Sequence, residues 1–215
     1  IGLRTMRALL AQFGSTDAVL AADEKALRQV PGVGKVIASS IRQINLRQVE
    51  ALIQRWHKAG VRVLLPAEYP SALREVEDAP PVLYVRGGLS EIRGAAVVGT
   101  REPTPAAVET AKRLAGTLVE KDYTVVSGLA LGIDTAAHQS ALDSSGVSVA
   151  VLGSGVLNIY PNENRSLALR VAWAGALISE VHPDSQPSSS ALVARNRIIS
   201  GLCERGFVVE SDDDG

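Results

Sequence analysis

The chain has 215 residues, 46% of them hydrophobic and 21% charged, with a formal net charge of −1. That is the profile of a soluble globular protein, long enough for one large domain or two small ones. The single cysteine, Cys203, excludes an internal disulfide framework and fits a reducing cytosol, and no apolar run approaches the ~20 residues of a membrane span.

A net charge near zero argues against nucleic acid as a partner until the charge is mapped. Residues 1–67 hold ten Lys and Arg against four Asp and Glu, whereas residues 68–215 hold twelve against nineteen. Three of those acids are Asp212–Asp214. The N-terminal third is therefore basic, and any basic site further along is local. Aromatic residues make up only 4%, so platforms for base stacking are scarce. No basic segment followed by an apolar stretch opens the sequence.

In chain order, residues 1–59 read as helices with short turns. Leu3, Met6, Leu9 and Leu10 have helical spacing, as do Val49, Leu52, Ile53 and Trp56. Val61–Leu65 reads as a short strand, so a helical domain is expected over 1–65. Residues 66–94 contain four prolines and three glycines, and read as a linker with one small strand, Val82–Val85. From Gly94 strands and helices alternate. Expected strands are Ala95–Val98, Thr124–Val126, Val147–Leu152, Ala176–Ser179 and Phe207–Glu210. Expected helices lie near 105–120, 133–142, 164–173 and 196–203. Near-continuous apolar strands alternating with helices imply an α/β domain over 95–215, with a mostly parallel, doubly wound sheet. Ligands of such sheets bind outside the carboxyl ends of the strands.

Five motifs fall on turns. Pro31-Gly-Val-Gly34 joins two helices, and its glycines let backbone amides, with Lys35 beside them, meet a phosphate. It resembles a helix-hairpin-helix, with Gly32, Gly34 and Lys35 as candidate ligands and Arg28 and Arg42 nearby; a plain tight turn is the alternative. Gly99-Thr-Arg101 ends the first strand of the sheet before a helix that Thr104 can cap, which places Gly99, Thr100 and Arg101 at an anion site. Ser127 and Gly128 end the next strand. Asp134 and His138 follow at i, i+4 on one helix; with no nucleophile or ligand set beside them, a structural Asp–His hydrogen bond is expected, not an acid–base pair. Gly153, Ser154 and Gly155 form a third loop, followed by Tyr160, a possible base platform or plug, and Asn164. Arg195, Asn196 and Arg197 begin the last helix, where the arginines meet either phosphates or an internal carboxylate, Glu180 or Asp134. With three histidines and one cysteine, no metal site is expected.

Taken together, Gly-Thr-Arg (99–101), Ser-Gly-Leu-Ala-Leu-Gly-Ile-Asp with Ala-His (127–138), Val-Leu-Gly-Ser-Gly with Tyr-Pro and Asn (151–164), Ile-Ser-Glu (178–180) and Ala-Arg-Asn-Arg-Ile-Ile-Ser-Gly-Leu (194–202) resemble the DNA-processing protein A (DprA/Smf) family. Five blocks in order are far more specific than any lone Gly motif. The resemblance implies a Rossmann-like core preceded by a small all-α helix-hairpin-helix or SAM-like domain. It implies a cytoplasmic, non-enzymatic protein without cofactor that binds single-stranded DNA, protects incoming DNA and loads RecA in natural transformation or recombination. It also implies a homodimer through the Rossmann-like domain. The family's core runs on beyond the strand matched by Val208–Glu210, so 95–215 is expected to be that domain without its C-terminal part.

Two other classes are weighed. A phosphoribohydrolase-type Rossmann-like enzyme needs an acidic Pro-Gly-Gly-x-Gly-Thr-x-x-Glu run, and none is present. A dinucleotide-binding domain needs Gly-x-Gly-x-x-Gly after the first strand, where Gly-Thr-Arg-Glu-Pro-Thr stands instead.

Overall fold

A computed structural model of the chain describes residues 2–211, with Leu3 described by its backbone alone. The acidic run Asp212–Asp214 and the Leu3 side chain lie outside the described residues. The chain divides into two compact units, residues 1–59 and 60–215.

The first unit is helical: α1 (Leu3–Phe13), α2 (Thr16–Ala21), α3 (Glu24–Leu27), α4 (Lys35–Arg42) and α5 (Leu46–Lys58). Local chemistry sets the breaks. Gly14 ends α1 in the left-handed conformation. Ser15 Oγ accepts from the Ala18 N–H at 3.1 Å, and Asp23 Oδ1 from the Ala26 N–H at 2.7 Å, which starts α2 and α3. Leu9, Val19, Leu27, Val30, Val33, Ala38 and Ile41 form the core of this unit.

The second unit contains β1 (Val61–Leu64), α6 (Ser71–Arg74), β2 (Leu83–Gly87), β3 (Gly94–Val98), α7 (Pro105–Glu120), β4 (Thr124–Ser127), α8 (Ile133–Asp143), β5 (Ser148–Val151), α9 (Arg165–Ala174), β6 (Ala176–Ser179), α10 (Ser189–Ala194), α11 (Asn196–Gly201) and β7 (Cys203–Val208). The strands form one sheet in the order β1-β2-β6-β5-β4-β3-β7. The pairs β6/β5, β5/β4, β4/β3 and β3/β7 are parallel, whereas β1/β2 and β2/β6 are antiparallel. Each face is covered. Ala95, Val97 and Val125 pack with Ala111, Ala115 and Leu118 of α7 and Ile133, Ala137 and Ala141 of α8. Ala96, Val126, Val149, Val151 and Ile178 pack with Leu73 of α6 and Ile198, Ile199 and Leu202 of the opposite layer. Alanine dominates the α7–α8 face because the two helices lie against each other as well as on the sheet, and small side chains permit both approaches.

Two expectations are corrected. Residues 66–94 are not a linker, and the helical unit ends at residue 59, not 65. β1 pairs with β2, and β2 with β6, in the register Tyr84↔Ser179. Tyr69, Leu73, Leu83 and Val85 are core residues. The proline-rich composition suggested a loop, yet β2 has its second partner, β6, far along the chain, and only the folded sheet reveals it. At the other end, the expected single helix over 196–203 stops at Gly201, and β7 starts at Cys203. An unpredicted short helix, α10, precedes it, capped by Ser188 Oγ accepting from the Ala191 N–H at 3.2 Å.

Candidate nucleic-acid interface

In the first unit the Pro31–Gly34 turn has the expected shape. Gly32 takes φ +83°, which L side chains rarely adopt, and Gly34 starts α4 without a side-chain cap. Gly32, Gly34 and Lys35 are exposed while Val33 anchors the turn in the core. The uncapped first-turn amides of α4 therefore have solvent, or a ligand, as partner. Arg42 is spent differently: its Nη1 donates to Leu20 O and Ala22 O at 3.1 and 3.3 Å, closing the end of α2.

In the second unit the direction of strand progression reverses at β3, which has β4 on one side and β7 on the other. Such switch points leave a crevice beyond the carboxyl ends of the strands. A cavity of about 750 Å³ opens there, lined by Gly99, Thr100, Arg101, Ala130, Asp134, Leu192, Val193, Arg195, Asn196 and Ile199 among others. Arg101 and Asn196 are exposed. Among the described residues, no carboxylate pairs with Arg101. Its charge is felt by Arg195, whose guanidinium pKa is lowered by burial, against the opposing pull of Asp134, and further lowered by Arg101. The cavity also holds Glu102 and Asp134, and Asp134 offsets the buried Arg195, so Arg101 is its exposed cation.

Several amides at the helix N-termini of this rim already have partners within the chain. Thr104 Oγ1 caps α7 by accepting from the Ala107 N–H at 3.2 Å, and the Glu210 carboxylate accepts from the Thr104 N–H at 2.8 Å. Thr100 Oγ1 turns inward to the Glu102 N–H at 3.2 Å. The α8 start meets Thr100 O through the Ile133 N–H at 3.2 Å.

Behind the rim lies a buried polar cluster. Asp134 Oδ2 accepts from the Gly128 N–H at 2.9 Å and the Ala130 N–H at 3.2 Å. Burial raises its carboxyl pKa, opposed chiefly by Arg195. Arg195 is only 7% exposed, and its Nη1 donates to Gly128 O and Val151 O, joining the ends of β4 and β5. The guanidinium lies so close over Gly128 that a Cβ there would collide with it. Gly128 is therefore a seat for Arg195, not an open edge of the groove. Ser127 Oγ is also internal, donating to Val97 O at 2.7 Å.

The expected Asp134–His138 hydrogen bond does not form; both groups are buried and hydrogen-bonded to other partners. His138 Nδ1 meets Ser148 Oγ at 2.7 Å, and Ser148 Oγ donates to Val125 O at 2.8 Å. Because the one hydroxyl proton is committed to Val125, Nδ1 carries the imidazole proton and donates. Burial first, and the Arg195 charge second, hold the His138 pKa down to about 3, against 6.5 for the ordinary group. Between those values the unfolded chain binds a proton that the folded chain refuses. The His138 contribution to stability is thus complete above pH 6.5 and is lost as the pH falls, by up to about 1.4 kcal/mol per pH unit. Asp134 contributes with the opposite sign, so the comparison must be between variants. His138→Ala will lower the melting temperature at pH 7 but flatten the acid side of the stability profile measured in urea. An unchanged acid slope would refute the assignment.

Other expected ligands are also buried or paired within the chain. Asn164 is buried, with Nδ2 at 2.9 Å from Leu129 O and 2.8 Å from Thr135 Oγ1. Gly153 lies under Leu192 of α10, Gly155 against the Pro183 carbonyl, and Ser154 is 1% exposed. Arg197 forms a bidentate pair with Glu180 at 3.0 and 2.6 Å and reaches Asp78 at 3.4 Å. The internal-carboxylate alternative is the one observed. Tyr160 remains at the rim, 42% exposed, beside Leu131 and Arg101. Leu131, Leu192 and Val193 were missed as lining residues. The signal for the last two was present: Ser188 before Ala191-Leu-Val-Ala194 is a cap followed by an apolar turn.

A second cavity, about 480 Å³, runs along β7 past Ala96, Ile199, Cys203 and Phe207, with Glu204 and Arg205 of opposite charge. Burial pushes the Cys203 thiol up to about 12, which leaves no thiolate nucleophile near neutral pH. Among the described residues no helix is long and apolar enough to cross a membrane.

Taken together, the mostly parallel sheet with its switch-point rim and the helix-hairpin-helix segment before it define an α/β protein of Rossmann-like fold. Residues 60–215 match the family of DNA recombination-mediator protein A, and residues 1–54 match the SAM-like helix-hairpin-helix tandem. The chain belongs to the DNA recombination-mediator protein A family. It is 38% identical to Protein Smf of Synechocystis sp. over 195 residues, covering 86% of this chain and 49% of that protein. It is 37% identical to DNA processing protein DprA of Bacillus subtilis over 149 residues, covering 68% of this chain and 50% of that one. The chain thus spans about half the length of these curated relatives. The X-ray structure of DNA processing protein A from Streptococcus pneumoniae superposes with a TM-score of 0.81 at 29% identity, covering 95% of this chain and 71% of that one. A structure of DNA processing protein A from Helicobacter pylori, described for its single-stranded DNA binding mode, gives 0.66 at 28% identity, covering 72% of this chain and 71% of that one.

Proposed function

We propose that this chain binds single-stranded DNA along the carboxyl-end rim of its sheet, with Arg101 as the principal phosphate ligand. The observation that carries the reading is Arg101 itself: an exposed guanidinium without a carboxylate partner among the described residues, at a switch-point cavity already flanked by Arg195. A cavity of about 750 Å³ has room for a nucleotide, and Tyr160 and Leu131 beside it offer surface to a base. Asn196 stands on the same cavity as a polar contact. The turn at Gly32, Gly34 and Lys35 adds phosphate contacts that read no sequence.

The protein acts by binding. Asp134 and His138 are buried and committed to separate partners, which gives the nucleotide-cleaving alternative no acid–base pair at the rim. The whole protein, a cytoplasmic homodimer through its Rossmann-like domain, protects incoming DNA and loads RecA onto it during natural transformation or recombination. Family membership and the single-stranded DNA binding mode described for the Helicobacter pylori protein support this.

The test is a gel shift of single- and double-stranded DNA over a salt series. The single strand should bind more tightly at every salt concentration, with affinity falling linearly on logarithmic axes as counterions are released. Equal affinity for duplex, or no salt dependence, would refute the proposal.

A further inference from the structure

Two loops from distant parts of the second unit meet beside Arg101. One, 128–131, follows β4. The other, 160–164, leads into α9. Leu131 from the first and Tyr160 and Pro161 from the second line, with Arg101, a cleft of about 50 Å³. That volume is too small to enclose a nucleobase, so a base can only lie across its mouth, on the exposed faces of Tyr160 and Leu131.

The relation between the loops is fixed by one side chain. Asn164 is 5% exposed, and its Nδ2 lies 2.9 Å from Leu129 O, 3.2 Å from Ala130 O and 2.8 Å from Thr135 Oγ1. Thr135 Oγ1 donates in turn to Ala130 O at 2.8 Å. Asn164 is also tied to its own loop, its backbone N–H donating to Pro161 O at 3.2 Å. The first loop needs holding, since Leu129 sits at φ +63°, a conformation uncommon for a bulky side chain.

We propose that Asn164 is a positioning residue: it sets Leu131 against Tyr160 so that one unstacked base of a single strand rests on the Tyr160 ring while Arg101 holds the adjoining phosphate. The inference rests on the single-stranded DNA reading above. It reassigns Asn164 from ligand to latch, because its amide is consumed by the neighbouring loop. Stacking on a ring tolerates any base, since every base has a π face, but it depends on the ring's placement. Hydrogen bonds from one amide to two carbonyls and a hydroxyl supply that placement.

A double-mutant cycle in the 215-residue chain, titrated with fluorescein-labelled oligothymidylate at fixed salt, tests it. Tyr160→Ala and Asn164→Leu should each weaken binding about tenfold, and the double variant no further than about tenfold, since without the ring Asn164 has nothing to place. Effects that multiply to about a hundredfold mean that Asn164 supports the fold in general, and overturn the proposal. Asn164→Leu removes the amide donor from Leu129 O and Thr135 Oγ1, while Ala130 O keeps the Thr135 hydroxyl, so its thermal unfolding is measured alongside. Should it fail to fold, Thr135→Val, which keeps its shape, takes its place: a milder loss that disappears in the Tyr160→Ala background supports the latch, and one that persists overturns it. If Tyr160→Ala binds normally while Arg101→Ala is weakened, the base platform is wrong and the DNA site stands. If both bind normally, the DNA site itself is wrong.

Discussion

Arg101→Ala will weaken single-stranded DNA binding by about ten- to a hundredfold, the loss expected of one charge-assisted hydrogen-bonded contact worth ~1.5–3 kcal/mol. The loss should be similar for every sequence, because a guanidinium forked onto phosphate oxygens reads no base. Plotted as the logarithm of affinity against the logarithm of salt concentration, the slope should become shallower by ~0.7 for each phosphate contact removed from a single strand. Stability should be almost unaltered, since Arg101 is exposed and no carboxylate among the described residues depends on it. Arg197→Ala is the matched control. It removes an arginine two positions after Arg195, yet its charge is already neutralised by Glu180 and Asp78, so affinity and salt slope should hold. A folded Arg101→Ala protein with the parent's affinity and slope would place the DNA elsewhere.

Arg195→Ala should be the most destabilising single change at this rim, by about 3–5 kcal/mol. Three losses coincide. Gly128 O and Val151 O lose their donor in a buried place, Asp134 loses the cation that offsets its desolvation, and the volume over Gly128 empties. The melting temperature should drop by roughly 10 °C or more. Arg195→Met restores much of the volume but neither the donors nor the charge, and should remain most of the way down. Arg195→Lys restores charge and one donor and should recover part. If Arg195→Ala stays within ~1 kcal/mol of the parent in urea denaturation, the clamp between β4 and β5 is energetically idle, and Arg195 is available as a DNA ligand after all. Gly128→Ala offers an independent check, since its Cβ would displace the guanidinium and should reproduce the defect with Arg195 intact.

Much of this was legible from the residues alone. The alternation of apolar strands and helices after Gly94 gave the parallel sheet, because strands covered on both faces must be apolar throughout. Gly99 and Arg101 fell at the rim because a glycine turn after the first strand of such a sheet has one place to go. The helix-hairpin-helix turn was readable because Gly32 needs a backbone angle that few other residues accept. These are local constraints, written within a few residues of where they act.

What failed was everything that depended on a distant partner. Residues 66–94 read as a linker with one small strand because the pairing of β2 with β6 spans most of the second unit. Arg195 and Arg197 stand two positions apart with the same chemistry, yet one clamps two strand ends and the other pairs with Glu180 and Asp78. No sequence spacing distinguishes them, because the carbonyls and carboxylates that claim them come from β4, β5 and β6. Asn164 likewise looked like a ligand until the turn at Leu129 closed over it. The sequence by itself determined the family, the sheet and the position of the Arg101 turn. Only the tertiary structure decided which polar side chains at the rim remain for DNA, because a buried carbonyl or carboxylate takes any donor the fold brings within reach, and what it leaves is the site.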